Sequence, residues 1–463
     1  MRGTLNLFQA TMLRWRELHP YSAVHAVRVG APLDAARLET AIRQELEARG
    51  LTRLTLDAAR GRYDYGGGDA PVALALLPGG ADPAGVLRSE IGRQLNLPFP
   101  ADGAIDPFRF FAVDAATTFD LAIAYDHFIA GGDSIVLLLQ AIASRYGAGG
   151  GATSSQPVPG LYPPTFRRLL MAHVGAILRG LPSLPRLALN CRLSHRPRYL
   201  CWPDPTNGFT SFRLAPAEFA AVLRTAKAWN VTLNDLLIAV MLQTVSPLAE
   251  KRETARRRVY LAAASIINIR GDVGADVRTW FGQFLSSFRV MHKVPPGIGL
   301  RELAQDINVQ SLEWKSRRLY LQTLVVMFYS SIVWRFLGVA QRQRFHLKNW
   351  PVWVGVTTLN VDALWQLGGG GRPAPAYVRA VSTGPLAPIV VAVSTAGGTL
   401  EAGISYRTAA FADGTVERMA EEVRRALAGL GMAPEVGTVE ERFCLTWAGS
   451  GCRRRRRAST SGY

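Results

Sequence analysis

The stretch "FDLAIAYDHFIAGGDS", residues 119–134, decides how this chain is read. Successive side chains on a β-strand point to opposite faces, so Phe119, Leu121, Ile123, Tyr125 and His127 share one face and Asp126 turns to the other. The glycines after it permit a sharp reversal, Ser134 is placed to cap a helix, and "IVLLLQAIASRY" (135–146) supplies that helix, with Gly147 as its stop. One histidine therefore ends a strand on its apolar face, beside a helix N-terminus that adds positive potential. A neutral imidazole there suits a general base, because its ordinary pKa lies near working pH. The blander alternative is a core imidazole satisfied by a backbone carbonyl.

The rest of the chain fits a large globular protein. It has 463 residues, 48% hydrophobic and 19% charged, enough for a sizeable core and two domains of ordinary size. The formal charge of +18 includes five arginines in one run, 453–457. A basic chain suits nucleic acid, an anionic membrane or a phosphorylated cofactor, but no stacking aromatics or reading element accompany the charge, so nucleic acid is not expected as a partner. Four cysteines, Cys191, Cys201, Cys444 and Cys452, form no CxxC pair, which argues against zinc or redox chemistry and for reduced thiols in a cytoplasm. The N-terminus does not read as a secretion signal. "LYLQTLVVMFYSSIVW" (319–334) is apolar with arginines on both sides, yet it falls short of the ~20 residues a spanning helix needs. It is expected as a buried or interfacial helix, with a peripheral membrane contact as the alternative. HExxH, GxSxG, GxxxxGK[ST] and a strand-linked GxGxxG are all missing, and "LGGGGRP" (367–373) lacks the strand-to-helix context of a phosphate cradle.

Four regions are expected: 1–150 as an N-terminal subdomain carrying the histidine, 151–210 as linker and connecting helix, 211–432 as a C-terminal subdomain, and 433–463 as a basic disordered tail. "DAARLETAIRQELEARG" (34–50) predicts an amphipathic helix with Asp34 as cap and Gly50 as stop. "TLNDLLIAVMLQTVSPLAE" (232–250) opens on Thr232 and Asp235 in capping-box spacing. Strands are predicted at 22–30, 51–57, 72–77, 108–115, 258–269, 284–291, 353–361, 388–396 and 399–406, and a final helix over 415–431. The fold class is α/β with mixed sheets, because helices and strands mix without strict alternation.

Residues 126–134 resemble the HHxxxDG motif of the condensation-domain and chloramphenicol-acetyltransferase superfamily. His127 matches the catalytic second histidine and Gly132 the motif glycine, while Ser134 falls where a small or hydroxylated residue is frequent. Two positions depart: Asp126 replaces the first histidine, and Gly131 replaces the motif aspartate, a carboxylate that steadies the loop through an ion pair. Asp133 stands two residues on and is the candidate substitute. Three later segments are similar too. "VTLNDLLIAVMLQTV" (231–245) resembles the helix opening the second half; "WFGQFLSSFRVMHKVP" (280–295) resembles the Gly-Asn segment of the wax ester synthase and diacylglycerol acyltransferase branch, with Gln283 where Asn is usual. "VTTLNV" (356–361) resembles the strand before the crossover between halves.

The resemblance implies two chloramphenicol acetyltransferase-like subdomains in a V around a central tunnel, with His127 near its middle and a C-terminal strand lent across the cleft. It implies an acyltransferase in which His127 deprotonates an alcohol or amine acceptor that attacks an acyl thioester, without a covalent intermediate. Acyl-coenzyme A or an acyl-phosphopantetheine on an acyl carrier protein would be substrate, with no permanently bound cofactor and no metal. Asn360, Thr357, Ser286, Gln283 and the backbone around Gly132 are candidate oxyanion or tunnel contacts. Asn360 equally suits a strand-end amide holding a neighbouring loop. The other histidines are assigned surface or structural roles. Two other readings stay open: a catalytically silent relative that binds an acyl carrier or lipid, and a lipid O-acyltransferase at an anionic membrane surface.

Overall fold

The computed structural model describes residues 1–148, 155–163, 169–200, 204–249, 257–371 and 373–430. The expected tail, its arginine run and Cys201, Cys444 and Cys452 lie outside these residues.

The alternation that opened the sequence builds the central strand of the N-terminal half, Thr118–Asp126. It pairs antiparallel with Ser22–Val29 on one side and Phe108–Ala115 on the other, and Leu74–Pro78 extends the sheet in parallel beyond. The fifth strand is Tyr377–Val381, which arrives from the C-terminal half and pairs antiparallel with Ser22–Val29. The helices Ala35–Arg49 and Gly132–Gly147 bury Leu38, Ile42, Leu46 and Ile135, Val136, Leu138, Leu139 and Ile142 in the same core. Asp34 and Gly50 cap the first of these as predicted, the glycine in the left-handed region.

The C-terminal half is a six-stranded mixed sheet in the order Leu285–His292, Leu261–Asn268, Val354–Asn360, Ile389–Ala396, Thr399–Arg407, Asn207–Leu214. Thr232 and Asp235 cap Leu233–Val245 as read, and Val416, Met419, Val423 and Leu427 bury one face of Thr415–Gly429. Between the strands Val354–Asn360 and Ile389–Ala396 the chain leaves this sheet, adds Tyr377–Val381 to the other one, and returns. That excursion is the crossover the resemblance implied. The halves are tied again where Asn96 and Asn207 exchange bonds, Asn96 Nδ2 donating to the Asn207 carbonyl and the Asn207 amide donating to Asn96 Oδ1, each at 2.8 Å.

Three features depart from the sequence expectations. A small antiparallel sheet of Arg2–Thr4, Arg62–Tyr65, Leu54–Asp57 and Gly103–Ile105 was only partly foreseen, because strands this short carry no usable alternation. Asn207–Leu214 starts inside the region expected as linker. Residues 319–334 are not one helix: a turn of 3₁₀-helix, Leu319–Leu321, precedes Gln322–Trp334. Among the described residues no single helix is long and apolar enough to cross a membrane. One pair, Pro216–Ala228 and Leu233–Leu248, passes only when joined, and it is bent by 99°.

Candidate active site

His127 follows directly on the strand Thr118–Asp126, and its amide continues the ladder by donating to the Tyr21 carbonyl at 3.0 Å. Its ring lies 5.3 Å from that of Tyr21 and 6.1 Å from that of Tyr125. Tyr125 and His127 both face a cavity of about 860 Å³ lined by both halves. The alternation read from the sequence therefore holds, and Asp126 on the opposite face is buried in an ion pair with Arg16. No side chain hydrogen-bonds His127 Nδ1 among the described residues. Burial, then the Arg379 guanidinium, push the His127 pKa down to about 4, with the backbone of Ala130 pulling the other way. The imidazole is neutral at physiological pH, as a general base must be.

Arg379 was missed in the sequence. It sits on the crossover strand opposite His25, and it lines the cavity. Its Nε donates to Ser394 Oγ at 3.1 Å and its Nη2 to the carbonyls of Thr357 and Val393 at 3.2 and 2.6 Å. Nη1 makes no hydrogen bond among the described residues, and a β-carbon placed on Gly132 would lie 3.2 Å from it. Burial pushes its pKa down to about 10, so it remains a cation beside the histidine. His25 stands next to it, bridging Tyr377 Oη at 2.7 Å and Tyr125 Oη at 3.3 Å, and is held well below its ordinary pKa by burial, Arg379 and His127. His346, also on the cavity wall, accepts from Trp15 Nε1 at 3.0 Å. Of the histidines assigned surface or structural roles, His25 and His346 are buried, bonded to aromatic side chains, and line the cavity.

The loop after His127 answers the question of the missing carboxylate. Asp133 Oδ2 accepts from Arg270 Nε at 2.5 Å and from Asn268 Nδ2 at 2.9 Å, and Oδ1 accepts from Arg270 Nη2 at 3.3 Å and the Ser134 amide at 2.8 Å. Arg270 comes from the C-terminal half, so Asp133 makes an ion pair that fastens the histidine loop across the cleft. Gly131 leaves room for it, since a β-carbon there would start 3.0 Å from Asp133 Oδ1 and 3.4 Å from the Gly282 carbonyl, so its neighbours would have to give by a few tenths of an ångström. The two glycines are present for room. Neither has a positive φ, which corrects the expectation of a special reversal. Ser134 does not cap the helix either: Gly131 is the N-cap, and Ser134 Oγ instead accepts from Arg270 Nη2 at 2.6 Å and faces the Gly282 carbonyl at 3.3 Å.

The oxyanion candidates separate. Thr357 lines the cavity, its carbonyl taken by Arg379. Ser286 lines it too, but its hydroxyl donates to the Tyr320 carbonyl at 2.7 Å and is already committed. Asn360 is exposed outside the cavity and caps the helix Val361–Leu367 by accepting from the Ala363 amide at 3.1 Å, so it is a structural amide and not an oxyanion donor. Gln283 is buried away from the cavity wall, with neither side-chain polar atom bonded among the described residues. Among the described residues no group of His, Cys, Asp or Glu could hold a metal ion.

No protein-family model matches the sequence, and neither does any curated protein. Solved structures do. The chain is 17% identical to the first condensation domain of the calcium-dependent antibiotic synthetase, with a TM-score of 0.66 over 94% of this chain and 97% of that one. It is 13% identical to the EpoB cyclization-docking bidomain of a nonribosomal peptide synthetase from Sorangium cellulosum, with a TM-score of 0.66 over 94% and 86%. It is 14% identical to the condensation domain of the Monacolin K polyketide synthase MokA, with a TM-score of 0.66 over 94% and 98%. The chain thus has the two-subdomain condensation-domain fold that residues 126–134 pointed to.

Proposed function

We propose that the protein transfers an acyl group from a coenzyme A or carrier-protein thioester to a hydroxyl or amine acceptor. The observation that carries this reading is a buried, neutral His127 facing an interdomain cavity beside Arg379, whose Nη1 makes no hydrogen bond among the described residues. His127 removes the proton from the acceptor as its oxygen or nitrogen attacks the thioester carbonyl. Negative charge develops on the carbonyl oxygen, and Arg379 Nη1 supplies the positive charge that offsets it in a site shielded from water. When the tetrahedral adduct collapses, the carbon–sulfur bond breaks and the imidazolium returns its proton to the thiolate. No acyl-enzyme forms. The Asp133–Arg270 pair supports this active reading over a purely binding role, because the loop keeps the carboxylate its motif position lacks. The test is turnover of a panel of acyl thioesters by wild type and His127→Ala: activity in the first and loss in the second is expected, and equal rates would sink the general base.

A lipid acceptor taken at a membrane surface is favoured by one observation. The helix Gln322–Trp334 lines the cavity with Thr323, Val326, Met327 and Ser330, while Phe328, Tyr329, Ile332 and Val333 on its other face, and Phe336 after it, are exposed. Arg335 and Arg342 lie close enough to repel Arg14 and lower its pKa after burial has done so. An apolar face rimmed by cations is the pattern of an interfacial helix. Sedimentation with anionic liposomes at low and high salt, for wild type and Phe336→Ser, tests it; no difference between the two proteins argues for a soluble acceptor.

A further inference from the structure

One wall of the cavity has a different character from the rest. Arg192, Arg196, Arg257, Arg258 and Lys348 all line it, and among the described residues none of them is paired with a carboxylate. They come from three separate places in the chain: the end of the helix Ser183–Leu193 and the residues after it, the approach to the strand Leu261–Asn268, and the end of the helix Val339–Asn349. Two of them are held in place by backbone. Arg196 Nη2 donates to the Lys348 carbonyl at 2.7 Å and Arg258 Nη1 to the Ser194 carbonyl at 3.0 Å. Arg196 Nε is buried and makes no hydrogen bond among the described residues, and after burial it is Arg258 that lowers its pKa. Like charges gathered at this cost, with no carboxylate paired to them among the described residues, suit a strongly anionic ligand.

The strand beside them gives the length of that ligand. Ala264, Ile266 and Asn268 alternate along the cavity wall, and Asn268 reaches Asp133 in the histidine loop. At ~3.3 Å per residue the chain from Arg258 to Asn268 spans no more than roughly 33 Å. The ligand has its charge at one end of this path and its reacting group near the other. A long thioester arm with phosphates at its far end has that form, and it reaches the enzyme either as free coenzyme A or attached to a carrier protein. The two differ in charge. A carrier-borne arm has a single phosphodiester, whereas coenzyme A has a pyrophosphate and a phosphomonoester that alone carries about −1.5 to −2.

We propose that Arg192, Arg196, Arg257, Arg258 and Lys348 form the binding site for the nucleoside bisphosphate end of a free coenzyme A thioester. This deepens the acyl-transfer reading and rests on it for the thioester, while the site itself is tested by binding alone. Arginine suits the task because its planar donors take phosphate oxygens in pairs. Five cations exceed what one phosphodiester requires, which favours the free nucleotide over a carrier.

Titration calorimetry with coenzyme A, adenosine 3′,5′-bisphosphate, 4′-phosphopantetheine and a phosphopantetheinylated acyl carrier protein tests this. Coenzyme A should bind roughly tenfold or more tighter than phosphopantetheine, the bisphosphate should compete with it, and its affinity should fall steeply with salt. The exposed charge reversals Arg192→Glu and Arg257→Glu should each weaken coenzyme A at least roughly tenfold and phosphopantetheine far less. Coenzyme A and phosphopantetheine of equal affinity, tighter binding of the carrier protein, or no effect of either reversal would overturn the proposal. His127→Ala should bind coenzyme A as wild type does. If it binds normally and both proteins turn over equally, the general-base reading fails while the phosphate site stands.

Discussion

Replacing Asp133 by alanine removes one side of an ion pair that joins the halves of the molecule. Both partners are nearly inaccessible, with side-chain exposures of 8% each. Breaking a buried pair by deleting one partner costs about 3–5 kcal/mol, mostly for the charge left behind. Arg270 keeps the Trp280 carbonyl at 2.9 Å and the Gly282 carbonyl at 3.3 Å, which moves the expectation to the lower end of that range. Losing an acidic residue from the first turn of Gly132–Gly147 adds about 0.3–1 kcal/mol. Urea unfolding followed by tryptophan fluorescence should therefore show Asp133→Ala destabilised by about 3–4 kcal/mol, and thioester turnover should fall because the histidine loop is no longer fastened. Arg270→Met in the same protein removes the orphaned charge and should recover part of the loss, with a coupling of at least about 1.5 kcal/mol. Asp133→Ala within about 0.5 kcal/mol of wild type and with unchanged turnover would refute the role given to this carboxylate.

Three further outcomes follow from the site. The rate should be flat through neutral pH and fall on acidification through about 4, the pH at which His127 becomes protonated. Arg379→Met should lower kcat by about 10²–10³-fold and, by removing the neighbouring cation, move that acidic limb to higher pH, a shift a purely structural arginine would not cause. Acid stability is the third: His19 and His346 have pKa values pushed down to about 3 and about 4, by burial in both cases and by Arg407 next for His19. Each binds a proton in the unfolded chain below about pH 6.5 and not in the folded one, so stability is full above that pH and declines as pH drops toward 4. At pH 5 each should cost roughly 2 kcal/mol, read as a lower urea midpoint, and replacing either by glutamine should flatten the slope.

Much of the fold could be read because its main elements are strongly patterned: Thr118–Asp126 alternates large and small apolar side chains although both its faces are buried, and Thr415–Gly429 shows one apolar face. His127 was legible for the same reason, as was the departure at Gly131. What could not be read depends on contacts distant in the chain. Asp133 meets Arg270 over a separation of 137 residues, and nothing local in "INIRGD" marks that arginine as its partner. Arg379 lies in a strand of five residues whose pairing partner is near the N-terminus, so "YVRAV" carries no sign that it joins the other sheet. His25 was hidden by its setting, because a histidine inside "SAVHAVRV" looks like one more core position until Tyr125 and Tyr377 close around it. Ser134 was misjudged because cap preference is a local property, and Arg270 claims its hydroxyl from outside.

The crossover strand also determines what can be separated. Without Tyr377–Val381, the strand Ser22–Val29 becomes an unpaired edge, eight residues long and buried over most of its length in the intact protein. An exposed apolar edge of that kind recruits other strands. A fragment ending near residue 150 would accordingly self-associate rather than stand as a domain, and adding a peptide that spans the crossover strand should restore its solubility. The ladder between Tyr377–Val381 and Ser22–Val29 that would be lost is also what carries Arg379 to the position opposite His25, so the same cut would take the cation out of the histidine's surroundings.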